Sequence, residues 1–213
     1  MSRGAAAFPP EGFQKLLEAE ALRAGVPLYE PALHALGRYL GELDSWRRRI
    51  NLTGDLAPED LCVHALESAA GASLIPHGAR VLDIGSGGGF PGVPISIARP
   101  DLSVTLLEPR GKRASFLRHV VRTVPIENAR VLAERVEDLV SQDYDAATCR
   151  AVGDLAEMID GAPFLALSGL LLAWTTEPRQ LAEALAPHFS LDQSELLPSA
   201  DRRSIALFRK QNS

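Results

Sequence analysis

The sequence is poor in cysteine, with two thiols among 213 residues, Cys62 and Cys149, far apart and without His or Cys neighbours at metal-ligand spacing. A disulfide framework and a cysteine-built metal centre are both excluded, so two reduced thiols and no metal are expected. Long apolar runs are missing too: nothing approaches the roughly 20 consecutive apolar residues that span a bilayer. The opening MSRGAAAFPPEGFQ also lacks the apolar core of a signal peptide, which predicts a cytoplasmic protein without a membrane partner. An excess of basic charge is absent as well, because 22 Lys and Arg stand against 27 Asp and Glu, a net charge of −5. Coating nucleic acid by bulk electrostatics is therefore excluded, and any polyanion must be met by a local basic patch on an acidic body. There is no internal repeat and no low-complexity tract.

What is there reads as an ordinary globular chain, 46% hydrophobic and 23% charged, with room for one domain and a small appendage. Residues 11 to 50 carry helical periodicity. Phe13, Leu16, Leu17 and Ala21 share one face before Gly25 and Pro27 interrupt, and Leu33, Leu36, Leu40 and Leu43 recur in a second helix that closes on Trp46, Arg47, Arg48 and Arg49. INLTGD makes a turn, and a third amphipathic segment runs from Pro58 to Leu74. Beyond Pro76, His77 and Gly78 the period changes to short β-rich runs, RVLDIG (80–85), SVTLLEP (103–109), ARVLAE (129–134), YDAATCR (144–150) and GLLLAWT (169–175). Between them GVPISIA, KRASFLRHVVRTV, DLAEMIDGAPFLAL and PRQLAEALAPHF have helix character. Alternation of this kind predicts an α/β, doubly wound, mostly parallel sheet with helices on both faces and ligands at the strands' carboxyl ends. SLDQSELLP and SIALFRK have no helix between them and read as an antiparallel pair closing one edge. The expected division is a helical N-terminal extension, residues 1–78, on a Rossmann-like core of seven strands, residues 79–213.

The loop after the first strand, VLDIGSGGGFPGVP, satisfies GxGxxG through Gly87, Gly89 and Gly92, the string of a dinucleotide site. A dinucleotide sets its pyrophosphate on helix N-terminal N–H groups, whereas Pro91 and Pro94 supply none. Taken from the strand end, Asp83, Gly85, Gly87 and Gly89 instead form D-x-G-x-G-x-G. An acid at the strand end can meet an ammonium, directly or through water, and bare glycines let the backbone approach a bulky ligand that carries no phosphate. S-adenosylmethionine has an ammonium, a sulfonium and no phosphate. Glu108, at the end of the second strand, is placed to accept hydrogen bonds from ribose hydroxyls, which suits this donor and NAD alike.

The segment after the fourth strand, Thr148-Cys149-Arg150-Ala151-Val152, contains no Asn-Pro-Pro-aromatic quartet and no Pro-Cys pair, and Cys149 reads as a buried strand residue. The lack of a base or nucleophile suits an acceptor that already offers a lone pair and needs only to be placed in line with the methyl group. Guanine N7 is such an acceptor.

RINLTGD, VHALESA, VLDIGSGGGFPGVPISIARPDLSVTLLEPRGKRASFLRHVV, ERVEDL and CRAV together resemble the bacterial 16S ribosomal RNA guanine-N7 methyltransferase G family, also called the glucose-inhibited division protein B family. The resemblance implies S-adenosylmethionine as cofactor, and 16S ribosomal RNA or the small ribosomal subunit as partner. The target it implies is N7 of a guanine in the loop beside the decoding centre, and a monomer is expected. It further implies that Gly85 and Phe90 touch the donor, that Glu108, Pro109 and Arg110 lie at its ribose, Val136 and Glu137 near its adenine, and Arg150 beside the reacting end. Arg135, in RVE, and Arg203, in R-x-I, match arginines implicated in activity. Arg47, Arg48 and Arg49 are the first candidates for phosphate contact, ahead of Arg118 and Arg122. Two positions depart from the family pattern: Glu67 stands where Asp is frequent, and the fifth strand ends Ala173-Trp174-Thr175-Thr176 in place of a Lys-Gly pair. Two other readings stay open, a methyltransferase of small molecules and a non-catalytic module that holds S-adenosylmethionine or NAD on a ribosomal partner.

Overall fold

A computed structural model describes residues 7–139, 144–151, 153, 155–197 and 203–211. Three helices open the chain, α1 (Pro10–Ala24), α2 (Glu30–Arg47) and α3 (Pro58–Gly71). Each has Pro in its first turn, where the missing N–H would have had no intrahelical partner, and α1 ends on Gly25 in the left-handed conformation. The strands and helices that follow are β1 (Arg80–Ile84), α4 (Gly92–Ala98), β2 (Ser103–Leu107), α5 (Gly111–Thr123) and β3 (Ala129–Leu132). After a 3₁₀ turn at Val136–Asp138 come β4 (Tyr144–Arg150), α6 (Leu155–Met158), β5 (Leu165–Thr175), α7 (Pro178–Leu185), β6 (Phe189–Leu196) and β7 (Ser204–Lys210). One seven-stranded sheet results, in the order β3-β2-β1-β4-β5-β7-β6. Its first five strands are parallel, and β7 inserts antiparallel between β5 and β6. The expected α/β architecture and the antiparallel closing pair are both present.

The period-two alternation of strand side chains divides the core into two layers. On one face Val81, Val104, Leu106, Ala146, Leu170, Leu172, Ile205 and Leu207 meet α1 to α5 in a single hydrophobic cluster. Residues 7–78 are thus continuous in packing with the sheet. On the other face Leu82, Ile84, Leu107, Ala147, Cys149, Leu171, Ala173, Ala206 and Phe208 meet the 3₁₀ turn, α6 and α7. The same parity turns Asp83, Thr148, Arg150, Trp174 and Arg203 toward the N-terminal helices.

One expected helix is largely absent. DLAEMIDGAPFLAL yields a single turn, α6, because Gly161 takes a left-handed φ of 60° and Pro163 has no N–H to continue the helical ladder. Phe164 and Leu165, both buried, carry the chain into a β5 that begins four residues before the expected Gly169, with an irregular register between Tyr144 and Ala146 of β4. Lys210 holds this corner, donating to the carbonyls of Ala162 and Leu165 at 2.7 and 2.8 Å. Val152 and Arg202 lie outside the described residues.

Candidate active site

The glycine loop joins β1 to α4 at the carboxyl edge of the sheet. Gly85, Gly87 and Gly89 have φ of 68°, 51° and 101°, a region that side-chain-bearing residues avoid. A Cβ on Gly87 would meet nothing closer than the Gly85 carbonyl at 3.6 Å, so the bare position serves its backbone angle. At Gly89 a Cβ would press on Tyr39 Oη and Val93 Cγ2, both at 2.9 Å. The loop is held from two sides. Glu108, buried just beyond β2, accepts the Gly87 N–H on Oε2 at 3.0 Å and the Arg110 N–H on Oε1 at 2.8 Å. From α2, buried Tyr39 donates its hydroxyl to the Gly88 carbonyl at 2.7 Å and sets its ring edge-on to Phe90 at 5.6 Å. Burial, with the nearby charge of Asp83 second, raises the Tyr39 pKa well above the ordinary phenol value, so the hydroxyl stays a donor.

The start of α4 has few donors left for an anion. Pro91 and Pro94 have none, the Val93 N–H is bonded to the Gly89 carbonyl at 2.8 Å, and the Gly92 N–H faces the Asp83 carboxylate. Glu108 offers the opposite character: each carboxylate oxygen has a second lone pair beyond its backbone donor. Acceptors at the second strand and spent donors at the helix start fit a ribose-bearing, phosphate-free ligand.

Asp83 is placed differently from the sequence expectation. Its side chain has no exposed surface; it lies under α4, where a Cβ on Gly92 would come within 2.6 Å of Oδ2. Thr148 donates to Oδ1 at 2.8 Å, while Oδ2 completes no hydrogen bond. Burial pushes its pKa up to about 7 against the pull of Ser86, Thr148 and the Gly92 N–H. Parity turns Asp83 inward from the middle of the sheet, so its buried carboxylate offers no surface for a direct ammonium contact.

Beside Phe90 the sheet edge carries a second constellation. His64 and Glu67, three apart on α3, face Arg150 at the end of β4 and Arg203 at the start of β7. Glu67 is 4% exposed and reaches Arg150 at 3.2 Å through Oε2 and Arg203 at 3.3 Å through Oε1. Both guanidiniums also point donors at His64 Nδ1, Arg203 at 3.1 Å and Arg150 in close contact. The Trp174 indole N–H donates to the Glu67 carbonyl at 3.1 Å, and the His64 ring lies 6.0 Å from that of Phe90. Burial holds the Arg150 guanidinium below its ordinary pKa; the Glu67 charge opposes that shift and the Arg203 charge adds to it.

Other expected residues are dispersed. Arg110 and Glu137 are exposed, Pro109 follows Glu108 at the rim, and Val136 is buried in the second-face core. Arg135 is exposed and follows β3, whereas Arg203 precedes β7. Five strand spacings separate those strands, about 24 Å at ~4.8 Å each. The sheet thus does not bring these two arginines together. Arg47, Arg48 and Arg49 also divide. Arg47 binds Asp44 Oδ1 at 2.7 Å and is largely buried, Arg48 reaches Asp44 Oδ2 at 2.9 Å and is more exposed, and Arg49 stands at the surface. Burial opposes ionisation of Asp44, but the Phe8 N–H, Arg48 and Arg47 hold its carboxyl below the usual range. A cleft of about 490 Å³ runs along Arg47 to Asn51 and Thr53 to Asp55. It adjoins the glycine loop, since a Cβ on Gly88 would touch the Leu52 carbonyl at 3.1 Å. Cys149 is buried, and burial, then the Asp83 charge, pushes its thiol pKa up, which removes it as a nucleophile. Among the described residues no group of His, Cys, Asp and Glu could hold a metal ion.

Comparison with known proteins agrees with this geometry. The family profile described as rRNA small subunit methyltransferase G matches residues 32–192. The chain belongs to that family. A ribosomal RNA small subunit methyltransferase G of Sorangium cellulosum is 43% identical over 77% of this chain and 71% of its own length. One of Halorhodospira halophila is 37% identical over 82% and 88%. Solved structures share this fold at low identity. A predicted O-methyltransferase of Agrobacterium tumefaciens superposes with a TM-score of 0.58 at 18% identity, covering 68% of this chain and 81% of that one. The M1A22 tRNA methyltransferase of Bacillus subtilis gives 0.56 at 18%, covering 68% and 65%. Membership of the family makes the chain a methyltransferase, and the solved structures show that it has a class I methyltransferase fold.

Residues that sequence reading missed are those that hold the site from behind. Tyr39 lies in the apolar stripe of α2 and reads as core. Thr148 and Trp174 were legible only through strand parity, which assigns them to the same face as Arg150.

Proposed function

We propose that the protein transfers a methyl group from S-adenosylmethionine to N7 of guanine 527 of 16S ribosomal RNA, in the loop near the decoding centre of the small subunit. The observation that carries this reading is the glycine loop pinned to Glu108 while the start of α4 has its donors spent or missing. When bound, S-adenosylmethionine supplies a methyl group activated by its sulfonium. Gly85 and Phe90 line the donor, Glu108 accepts from its ribose hydroxyls, Pro109 and Arg110 close that side, and Val136 and Glu137 border the adenine. Gly87 and Gly89 shape the loop. Arg150 orients the reacting end, and Arg135 and Arg203 serve turnover on the RNA. Guanine N7 brings its own lone pair, so orientation and exclusion of water suffice and no proton has to be removed. Arg48 and Arg49 contact phosphates, with Arg47 holding their helix end in place through Asp44. We further propose that the enzyme works in the cytoplasm as a monomer; no described helix is long and apolar enough to cross a membrane.

The test is transfer of labelled methyl to 16S RNA or small subunits from a strain lacking the modification, followed by mass mapping of the product. Incorporation at that guanine is expected. No incorporation on either substrate would defeat the reading, and incorporation on a small molecule alone would replace it.

A further inference from the structure

The Glu67 carboxylate has no part in the reading above, yet it touches two residues that do. We infer that Glu67 is a positioning residue: it ties Arg150 and Arg203 into one unit, with His64 as second anchor, and thereby links donor binding to turnover.

The two arginines come from different strands. Arg150 ends β4 and Arg203 precedes β7, with β5 between them: the register Arg150–Trp174–Ile205 sets the two on one edge, and no direct backbone pairing joins them. Their charges repel, as the effect of Arg203 on Arg150 records. Side-chain exposures of 13% and 21% leave little water to screen that repulsion. Glu67 reaches one guanidinium with each oxygen, at 3.2 and 3.3 Å. His64 adds a lone pair: Nδ1 faces both guanidiniums, which can only donate, and lies 3.4 Å from Glu67 Oε2 without completing a hydrogen bond to it, an arrangement in which that nitrogen accepts and the ring proton belongs on Nε2. The frame around Glu67 is rigid, because Trp174 from β5 donates to its carbonyl and Ser68 of α3 donates back to the His64 carbonyl at 2.7 Å. The unit leans on the donor loop through His64 and Phe90. A carboxylate one methylene longer than Asp suits this reach, since the shorter side chain at the same Cα would have to span both strands with its oxygens drawn back.

The inference rests on the methyl-transfer reading for the roles of Arg150 and Arg203. Its test is a double-mutant cycle of Glu67→Gln with Arg203→Met on full-length protein, with Glu67→Asp as the conservative variant. Expected is a loss of about 100-fold in kcat for Glu67→Gln, as for misplacement by about 1 Å, partly recovered in Glu67→Asp. In the Arg203→Met background the same change should cost less than about threefold. Calorimetry with S-adenosylhomocysteine should show about tenfold weaker binding in Glu67→Gln, through Arg150, and little change in Arg203→Met. Nitrogen-15 NMR should find His64 Nδ1 unprotonated in the wild type. Additive costs in the cycle, product-analogue binding untouched by Glu67→Gln, or a proton on Nδ1 would each overturn the inference. The calorimetric and NMR arms need no turnover, so a wild type that methylates nothing would defeat the methyl-transfer reading and leave these arms to decide this one.

Discussion

Tyr39→Phe removes one oxygen from the most heavily braced point of the donor loop. The ring can stay edge-on to Phe90, so packing at 5.6 Å is kept while the 2.7 Å hydrogen bond to the Gly88 carbonyl is lost. Tyr39 and Gly88 are both buried, and water has no path to replace the donor. An abandoned buried carbonyl costs about 2 kcal/mol, toward the middle of the range for an unsatisfied group. For a chain of this length that corresponds to a fall in Tm of roughly 4–8 °C. If the Gly88 carbonyl must also be held for the loop to receive its ligand, about 1 kcal/mol of the loss reappears in binding, roughly fivefold in the Kd for S-adenosylhomocysteine. Calorimetry measures both quantities on one sample. An unchanged Tm would refute the energetic argument, because it would mean the bond contributes nothing. A lowered Tm with unchanged affinity would refute the link from α2 to the donor loop while leaving the bond its structural role.

Four further perturbations test individual residues of the site and its support. Asp83→Asn should flatten one limb of the stability profile. With its folded pKa raised to about 7, the native state holds a proton that the unfolded state releases near the ordinary Asp value, so stability from this group falls as pH rises from about 4 to about 7. Urea midpoints across that window should converge on a flatter line in the variant, and parallel profiles would count against a buried, proton-holding Asp83. Arg49→Ala should weaken RNA binding and lower the slope of log K against log salt by about 1, without a change in Tm. Arg47→Ala should lower the denaturant midpoint by taking two donors from buried Asp44 Oδ1, while Arg48 and the Phe8 N–H still hold Oδ2. Gly92→Ala should destabilise by about 1–3 kcal/mol, since the new methyl would meet Leu106 Cδ2 at 2.5 Å and the Asp83 carboxyl carbon at 2.7 Å, both on fully buried side chains with little room to yield. Denaturant midpoints measure the last two effects.

The elements that sequence reading located well are those whose signal is local. The stripe Leu36, Leu40, Leu43 makes α2, the short, almost wholly buried runs RVLDI and SVTLL make β1 and β2, and the prolines of GFPGVP already spoke against a phosphate. The reading failed where a decision rests on what lies across the fold. DLAEMIDGAPFLAL has helical composition, yet the gain from adding Leu165 to a strand edge beside Tyr144 outweighs it once Gly161 and Pro163 have broken the ladder. Asp83 shows the same dependence at the site. Its position before the loop suggests a ligand, but each strand residue faces the layer that parity assigns, and the layer above Asp83 is α4 and the α2 tyrosine. Glu67, 83 residues before Arg150 and 136 before Arg203 in the chain, is tied to both by contacts that no local pattern encodes. The motif before β1 and the one at the carboxyl end of β4 are thus two halves of one device. A sequence read strand by strand separates them, and only the order β4-β5-β7 under α3 brings their charges together.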